Sequence, residues 1–500
     1  MDIGWLCKVE KAGIPGVCIG FPDQINYARN IALQNGVPNV RWIDTPRTGT
    51  GSEAVAVFYE KVAKALTDPL TAKEKESGLY SPPAPPRVLF EGTVDEAQDF
   101  LQQTVSVENC RMCPISKYTD GLPVIVPTEE KVAEMMTGTS HKASETLAHP
   151  LARSATTPAG SQIVYSMQYN CTVEKVAVCA VMAGMKPQYL PVALAAACAG
   201  GQTTNCPGTS SSAGYLWVVS GPIAKEIGMN AGQDAYDVGN RANMTIGRVG
   251  ALISVAIGQC ITGIVRTDAG NILHSVCFAE DVDGLPAGWE GYNEESTYYD
   301  TAKKASVNYT KTQSVLGKFG VRGSMVHTMH SPGSTRALQS GIGGFARYVL
   351  AEMGQPELEN PPGTDKFVPL NPLMGWTYTV AHMDSAGGRT FLVDKNVAGF
   401  ILNAGFKKKA DIYKWLWDTY FITVGEYRNM GWFSFATNEG KFNEPVSGIP
   451  YNNLPKDWPL HAYGSSPTGN CVIVSNGFAD ENVYTVMGGR PSAYPIDPWR

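Results

Sequence analysis

The order of structural signals over residues 1–69 constrains this chain most, because it opens on a helix where an α/β layer normally opens on a strand. An apolar run at Ile3, Trp5, Leu6 and Cys7 leads into Lys8, Glu10 and Lys11 and stops at Gly13, the pattern of a helix end. A buried strand is predicted over 14–20, a helix over 23–34 closed by Gly36, a strand over 40–43 and a helix over 52–66. The order is α-β-α-β-α, so a strand before the first helix is expected and missing. In open α/β sheets the chemistry gathers at the carboxyl ends of strands. A second polypeptide, or a longer original reading frame, is therefore expected to supply that strand and a principal reactive group. The alternative is that Met1 begins a small α/β domain with nothing missing.

Five hundred residues suffice for two or three domains. Residues 1–69 read as a partial, Rossmann-like α/β domain, incompletely doubly wound. Residues 70–87, charged and then proline-rich, read as a linker, and residues 88–500 as a larger α/β domain. Within that domain a strand is predicted over 88–92. Thr93-Val94-Asp95-Glu96 matches a capping box before a helix over 94–103, and Thr128 caps a helix through Met136. Further helices are predicted over 172–183, 188–199, 241–258, 334–353 and 395–421. Strands are predicted over 215–219, 273–278, 376–382 and 472–475. This alternation gives an α/β class.

The formal charge of −6 argues against nucleic acid or an anionic membrane as the main partner. No run of eighteen apolar residues suggests a membrane span, and no secretory signal is visible. The 11 cysteines are odd in number and scattered, which suits reduced, buried thiols in a cytoplasmic protein better than a disulfide framework.

A series of short motifs is shared, in order, with a known family. It runs through Phe90-Glu91-Gly92-Thr93, Asp120-Gly121-Leu122-Pro123-Val124, Pro127-Thr128-Glu129-Glu130, Thr172-Val173-Glu174, Tyr189-Leu190-Pro191-Val192, Thr203-Thr204, Ser220-Gly221-Pro222, Asn240 to Arg248 and Ala279-Glu280. In these the chain resembles the second domain of the UGSC family of (seleno)proteins, and Glu10 through Val17 resembles the segment just after that family's Sec/Cys-Gly-Ser-Cys motif. The motif itself is absent. The resemblance implies an architecture and a thiol or selenol theme; it implies no substrate and no cofactor.

Cys110 and Cys113 form a C-x-x-C pair, able to cycle through a disulfide or to give two ligands to a metal, with His141 and Cys206 available to complete such a site. The loop around Thr203, Thr204, Cys206 and Ser212 is rich in glycine and small hydroxyls, which suits an anion or oxyanion, with Cys206 as nucleophile. Arg241, Asn243 and Arg248 open a helix with the two arginines on one face, suited to a substrate carboxylate or to internal salt bridges. Glu280 and Asp281, with Asp283, follow a strand end and suit proton transfer or a hard cation. His327 and His330 are a lesser candidate pair.

The reading is one subunit of a hetero-oligomeric, thiol- or selenol-dependent oxidoreductase or lyase acting on a small, anionic organic molecule. A metal-dependent hydrolase or lyase, and a non-catalytic scaffold subunit, are the alternatives.

Overall fold

The computed structural model describes residues 3–20, 25–44, 52–76, 86–106, 114–163, 171–200, 214–259, 261, 277–321, 389–403, 405–419, 421–425, 443–444, 447–461, 466–475, 483–487 and 490–500. The helix predicted over 334–353, the strand over 376–382 and the pair His327 and His330 lie outside these residues.

In the N-terminal part, α1 (Ile3–Lys11), β1 (Cys18–Gly20), α2 (Ile25–Gln34), β2 (Trp42–Asp44) and α3 (Ser52–Thr67) follow the predicted order. Gly13 and Gly36 take φ of +82° and +73°, the left-handed conformation that stops a helix at low cost to glycine. β1 and β2 pair in parallel, Ile19 opposite Ile43, and no third strand joins them among the described residues. Ile3, Cys7, Cys18, Ala28 and Val40 form a small core. Arg41 extends this unit beyond its expected limit at 69. Its Nε lies 2.9 Å from Glu74 Oε1, and a second nitrogen reaches the Ala65 carbonyl. The Arg41 hydrogen bond holds the Glu74 carboxyl down at about 2. Residues 71–76, expected to be linker, are thus folded back onto the unit.

The larger part begins with a correction. No strand forms over 88–92: Val88, Leu89 and Phe90 are exposed and have no ladder partner, and Phe90 stacks instead on Phe100, ring centres 5.2 Å apart. Apolar residues alone do not make a strand without an edge to join. The capping box does form, with Thr93 and Glu96 satisfying each other's backbone N–H groups at the start of α4 (Val94–Leu101). The chain continues through β3 (Thr104–Val105), β4 (Ile115–Ser116), α5 (Glu129–Met136), α6 (Val173–Ala183), α7 (Leu190–Cys198), β5 (Gly214–Ser220), α8 (Pro222–Glu226) and α9 (Arg241–Ala256). Thr128 and Thr172 cap α5 and α6, and Gly184 closes α6 at φ +81°. Every residue of α7 is buried, which explains why its sequence is apolar all round. α9 packs closely on β5, where a Cβ at Gly250 would sit 3.1 Å from the Trp217 indole nitrogen.

β6 (Cys277–Ala279), α10 (Tyr292–Glu295), β7 (Thr297–Asp300), β8 (Ala305–Asn308), β9 (Val315–Val321) and β10 (Arg389–Val393) follow. The helix predicted over 395–421 is broken in two, α11 (Lys395–Asn403) and α12 (Lys409–Thr419), with Gly405 at φ +105° between them. Phe421 leaves helix altogether for β11 (Phe421–Thr423), which pairs with β12 (Pro459–His461). β13 (Cys471–Val474), β14 (Val483–Met487) and β15 (Ser492–Pro495) complete the chain.

Two mixed sheets carry the larger part, in orders β15-β9-β5-β6 and β13-β10-β14. β5 pairs in parallel with β6 and β10 with β13, while β9, β14 and β15 run antiparallel to their neighbours. The fold is therefore α/β with mixed sheets. Two hydrogen bonds join the sheets end to end: the Asp281 N–H donates to Val474 O at 2.8 Å, and Ser475 Oγ to Ala279 O at 2.8 Å. The C-terminus packs back on residues 139–141, with His141 Nε2 2.8 Å from the Pro498 carbonyl and Thr139 Oγ1 donating to Trp499 O at 2.6 Å.

The turn Ser220-Gly221-Pro222 requires its glycine. Gly221 has φ +104°, and a Cβ there would stand 2.4 Å from the Gln313 carbonyl. Gly221→Ala is expected to lower unfolding stability by roughly 1–3 kcal/mol, read as a shift in the urea midpoint.

Candidate functional site: a polar cavity beside a buried charge cluster

The end of β6 delivers Glu280 into the interior, where it is 1 % exposed. Its Oε2 accepts from the Tyr292 N–H at 2.7 Å and from Ser220 Oγ at 2.5 Å. Its Oε1 lies 3.2 Å from Nζ of Lys409, the first residue of α12, itself 2 % exposed. The same ammonium is 3.7 Å from Glu295 at the end of α10, and the Tyr413 hydroxyl lies 3.1 Å from both Glu295 oxygens. Burial works against the Lys409 charge, but the carboxylates of Glu295 and Glu280 more than offset it and leave its pKa raised. Burial raises the Glu295 carboxyl too, against the pull of Lys409 and Arg490.

Glu295 also faces a cavity of about 200 Å³ at the outer edge of β15. Its lining includes His149, Arg153, Cys198, Glu295, Tyr298, Tyr309, Arg490 and Tyr494. The exposed Arg153 guanidinium lies over the Tyr494 ring, 4.2 Å from its centre. Arg490 donates from Nε to Thr468 O at 3.2 Å and from Nη2 to Asn470 O at 3.1 Å. Its Nη1 is buried, lies 3.7 Å from Glu295 and has no hydrogen-bond acceptor among the described residues. Burial, and then Arg153, pull the His149 pKa down, so its imidazole is neutral at neutral pH. Burial pushes the Cys198 thiol well up, with nearby Cys171 adding to it, so Cys198 is a protonated thiol and not a nucleophile.

Lys318 stands beside this cavity on β9. It is opposite Ser492, a lining residue, and its Nζ donates to the Ala199 carbonyl at 2.5 Å, one residue beyond Cys198. The residue is partly exposed, but its amine is enclosed, and burial followed by Arg153 lowers its pKa to about 7.

Arg241, Asn243, Arg248 and Asp281, expected from sequence, are not among the residues lining this cavity. Arg248 has its carboxylate, but an internal one: Nε and Nη2 hold Asp120 at 2.8 and 3.0 Å and reach Pro123 O, fixing the 120–123 turn. Arg241 donates from Nε and Nη2 to Gly184 O and so completes the end of α6. Asn243 Nδ2 donates to Asn230 O and Ala235 O. These donors are engaged within the fold. Asp281 accepts from the Gly284 N–H in a turn, and Asp283 pairs with Lys225 at the surface. His141 has both ring nitrogens engaged, by Glu145 and Pro498, and so cannot complete a metal site with Cys206. Among the described residues no group of three His, Cys, Asp or Glu could hold a metal ion. Cys110, Cys113, Thr203, Thr204, Cys206 and Ser212 lie outside the described residues. Sequence reasoning reached Glu280 but missed Arg153, Glu295, Lys318, Lys409 and Arg490. Lys409 in particular ends a run of three lysines that reads as a solvated patch.

Comparison with models of known protein families, with curated proteins and with solved structures gave no match to this chain.

Two outcomes follow from this geometry. Lys409→Met leaves Glu280 and Glu295 buried without their cation and should cost about 3–5 kcal/mol of stability by urea unfolding. Lys318 gives a pH signature of opposite kind. Between about 7 and its ordinary 10.5 the unfolded chain holds a proton that the native chain has released. Stability therefore rises with pH across that window relative to Lys318→Met, and the advantage is absent below it. Urea midpoints of both proteins from about pH 6 to pH 10 read this slope.

Proposed function

We propose that the protein is an enzyme acting on a small, anionic organic molecule held in the cavity at the edge of β15. The buried Arg490 Nη1, a donor without an acceptor among the described residues, is the observation that carries this reading. Buried donors are rarely left unpaired, and an unpaired one on a residue that lines a cavity favours an acceptor brought in from outside. Arg153 adds a second guanidinium to the lining, suited to a carboxylate. The volume, about 200 Å³, is below the range of ordinary drug-sized pockets and fits a molecule of a few carbon atoms. Neutral His149 and the buried Glu295 are available to move protons at its walls.

The thiol or selenol chemistry expected from sequence rests in this reading on Cys110, Cys113 and Cys206 alone. The described cysteines are buried, and desolvation raises the thiols of Cys179, Cys198, Cys277 and Cys471. A partner polypeptide supplying a further strand to β1 and β2 belongs to the same proposal, as does the resemblance to the UGSC family.

The test is calorimetric titration of the full chain with malonate and pyruvate, and with acetamide as a neutral control. The two anions are expected to bind and acetamide not. Arg153→Gln should weaken anion binding at least tenfold, about 1.4 kcal/mol, without lowering thermal stability. Anion binding that is absent, or indifferent to Arg153→Gln, overturns the reading.

A further inference from the structure

We propose that His141 is an imidazolium clasp on the turn at 497–500, and that this turn, with the cavity strand β15 leading into it, loosens when the ring gives up its second proton. The inference does not depend on what the cavity binds.

The clasp is defined by what faces the ring. His141 stands in the segment between α5 and α6. Its Nδ1 lies 2.9 Å from Glu145 Oε1, and its Nε2 lies 2.8 Å from the Pro498 carbonyl oxygen. Both facing atoms are acceptors. A neutral imidazole carries one N–H, so it donates to one of them and turns a lone pair toward the other, whereas the imidazolium carries two and satisfies both. The Trp499 ring lies against it, centres 4.9 Å apart, within the distance at which an aromatic ring attracts a cation. Two neighbouring side chains bind the same turn: Thr139 Oγ1 donates to Trp499 O at 2.6 Å, and Ser140 Oγ to Arg500 O at 2.5 Å. Three consecutive residues thus address the main-chain oxygens of three consecutive residues. Of the three, only His141 changes charge near neutral pH.

Glu145 is the charged group acting on the ring. On the turn itself, Arg500 pairs with Glu226 of α8 and lies 4.0 Å from Asp497, and Asp497 accepts from the Ser314 N–H at 2.6 Å. Those charges are engaged with one another. Burial works against the charge on His141, but the hydrogen bonds to Pro498 and Glu145 outweigh it and leave its pKa raised above 6.5. The folded form therefore holds the proton more tightly, and the clasp contributes in full below pH 6.5 and is lost as the pH rises through the folded midpoint. A carboxylate is a stronger acceptor than a carbonyl. The remaining N–H stays with Glu145, and the bond to Pro498 is the one given up. The effect reaches the cavity through short connections. The Ile496 N–H donates to Ser314 O at 3.0 Å, Arg153 Nη1 donates to Ala493 O at 3.3 Å, and Ser492 through Pro495 line the cavity.

NMR titration of the full chain, labelled with ¹⁵N in histidine only, tests the protonation state. The His141 ring is identified by its loss in His141→Gln. A midpoint above 6.5 is expected, with both ring nitrogens protonated below it, and Glu145→Gln should lower that midpoint. A wild-type midpoint at or below 6.5, or one that Glu145→Gln does not move, overturns the proposal. Hydrogen exchange read by mass spectrometry tests the consequence. After correction for the intrinsic pH dependence of exchange, protection of a peptide over 490–500 should fall about tenfold from about pH 6 to about pH 9, the loss expected of one charge-assisted hydrogen bond. A peptide over α7 serves as the internal reference and should keep its protection. In His141→Gln the fall should be absent. Unchanged protection of 490–500 in the wild-type protein, or a fall of the same size in His141→Gln, overturns the clasp.

Discussion

An ammonium group shut away from water between two carboxylates is the interaction around which the larger part is assembled. Taking Lys409, Glu280 and Glu295 out of solvent costs several kcal/mol per ion, and mutual attraction offsets this only when the remaining polar atoms are also satisfied. They are satisfied here from several directions. Ser220 comes from the end of β5, the Tyr292 N–H from α10, Tyr413 from α12, and Glu280 itself from the end of β6. Tyr413 goes on to accept from the Val472 N–H in β13, in the neighbouring sheet. Shifting either sheet past the other would strand a buried charge. The cluster therefore specifies how the two sheets meet, whatever its net contribution to stability.

The candidate site borrows from that cluster. Glu295 and Arg490 belong both to the buried network and to the cavity lining, so two of the groups that line the cavity are positioned by the same contacts that hold the sheets together. This is the arrangement expected of a preorganised site, in which rigid supporting groups fix the rotamers of those that touch the ligand. Arg153 supplies the complementary part. It is exposed, it rests on the Tyr494 ring, and its charge helps keep His149 and Lys318 uncharged. Burial first, and the Arg153 charge second, lowers the pKa of both His149 and Lys318. An anion placed against Arg153 cancels part of that field, so in the proposed reading binding and protonation of the cavity bases are linked through a single charge.

What the sequence made legible was local. The capping box at Thr93, the cap at Thr128, and the glycine stops at Gly13 and Gly36 all form as read, because each depends on residues a few positions apart. Failures came where a distant partner decides. The apolar run at 88–90 finds no strand edge and stacks Phe90 on a helix residue instead. Phe421 continues a helical pattern in sequence, but pairs with His461 across a hairpin-like ladder. Lys409 looks solvated beside Lys407 and Lys408, yet its amine answers carboxylates 129 and 114 positions away. No spacing rule carries that information.

The arginines show why site residues were harder to read than elements. Arg241 and Arg248 were singled out because they share a helix face and because arginine suits carboxylates, and both premises hold. Arg248 does bind a carboxylate through two nitrogens, but Asp120 supplies it from within the chain. Arg490 had nothing in its sequence neighbourhood to recommend it. Two of its nitrogens are taken by the carbonyls of Thr468 and Asn470, which fix the plane of the guanidinium, and the third is left buried without an acceptor among the described residues. Residue type and position express a capacity for binding; whether every donor is spent within the fold is what differs between the two arginines. That difference is a sum over partners brought in by the whole fold, and it exists only once the fold is formed.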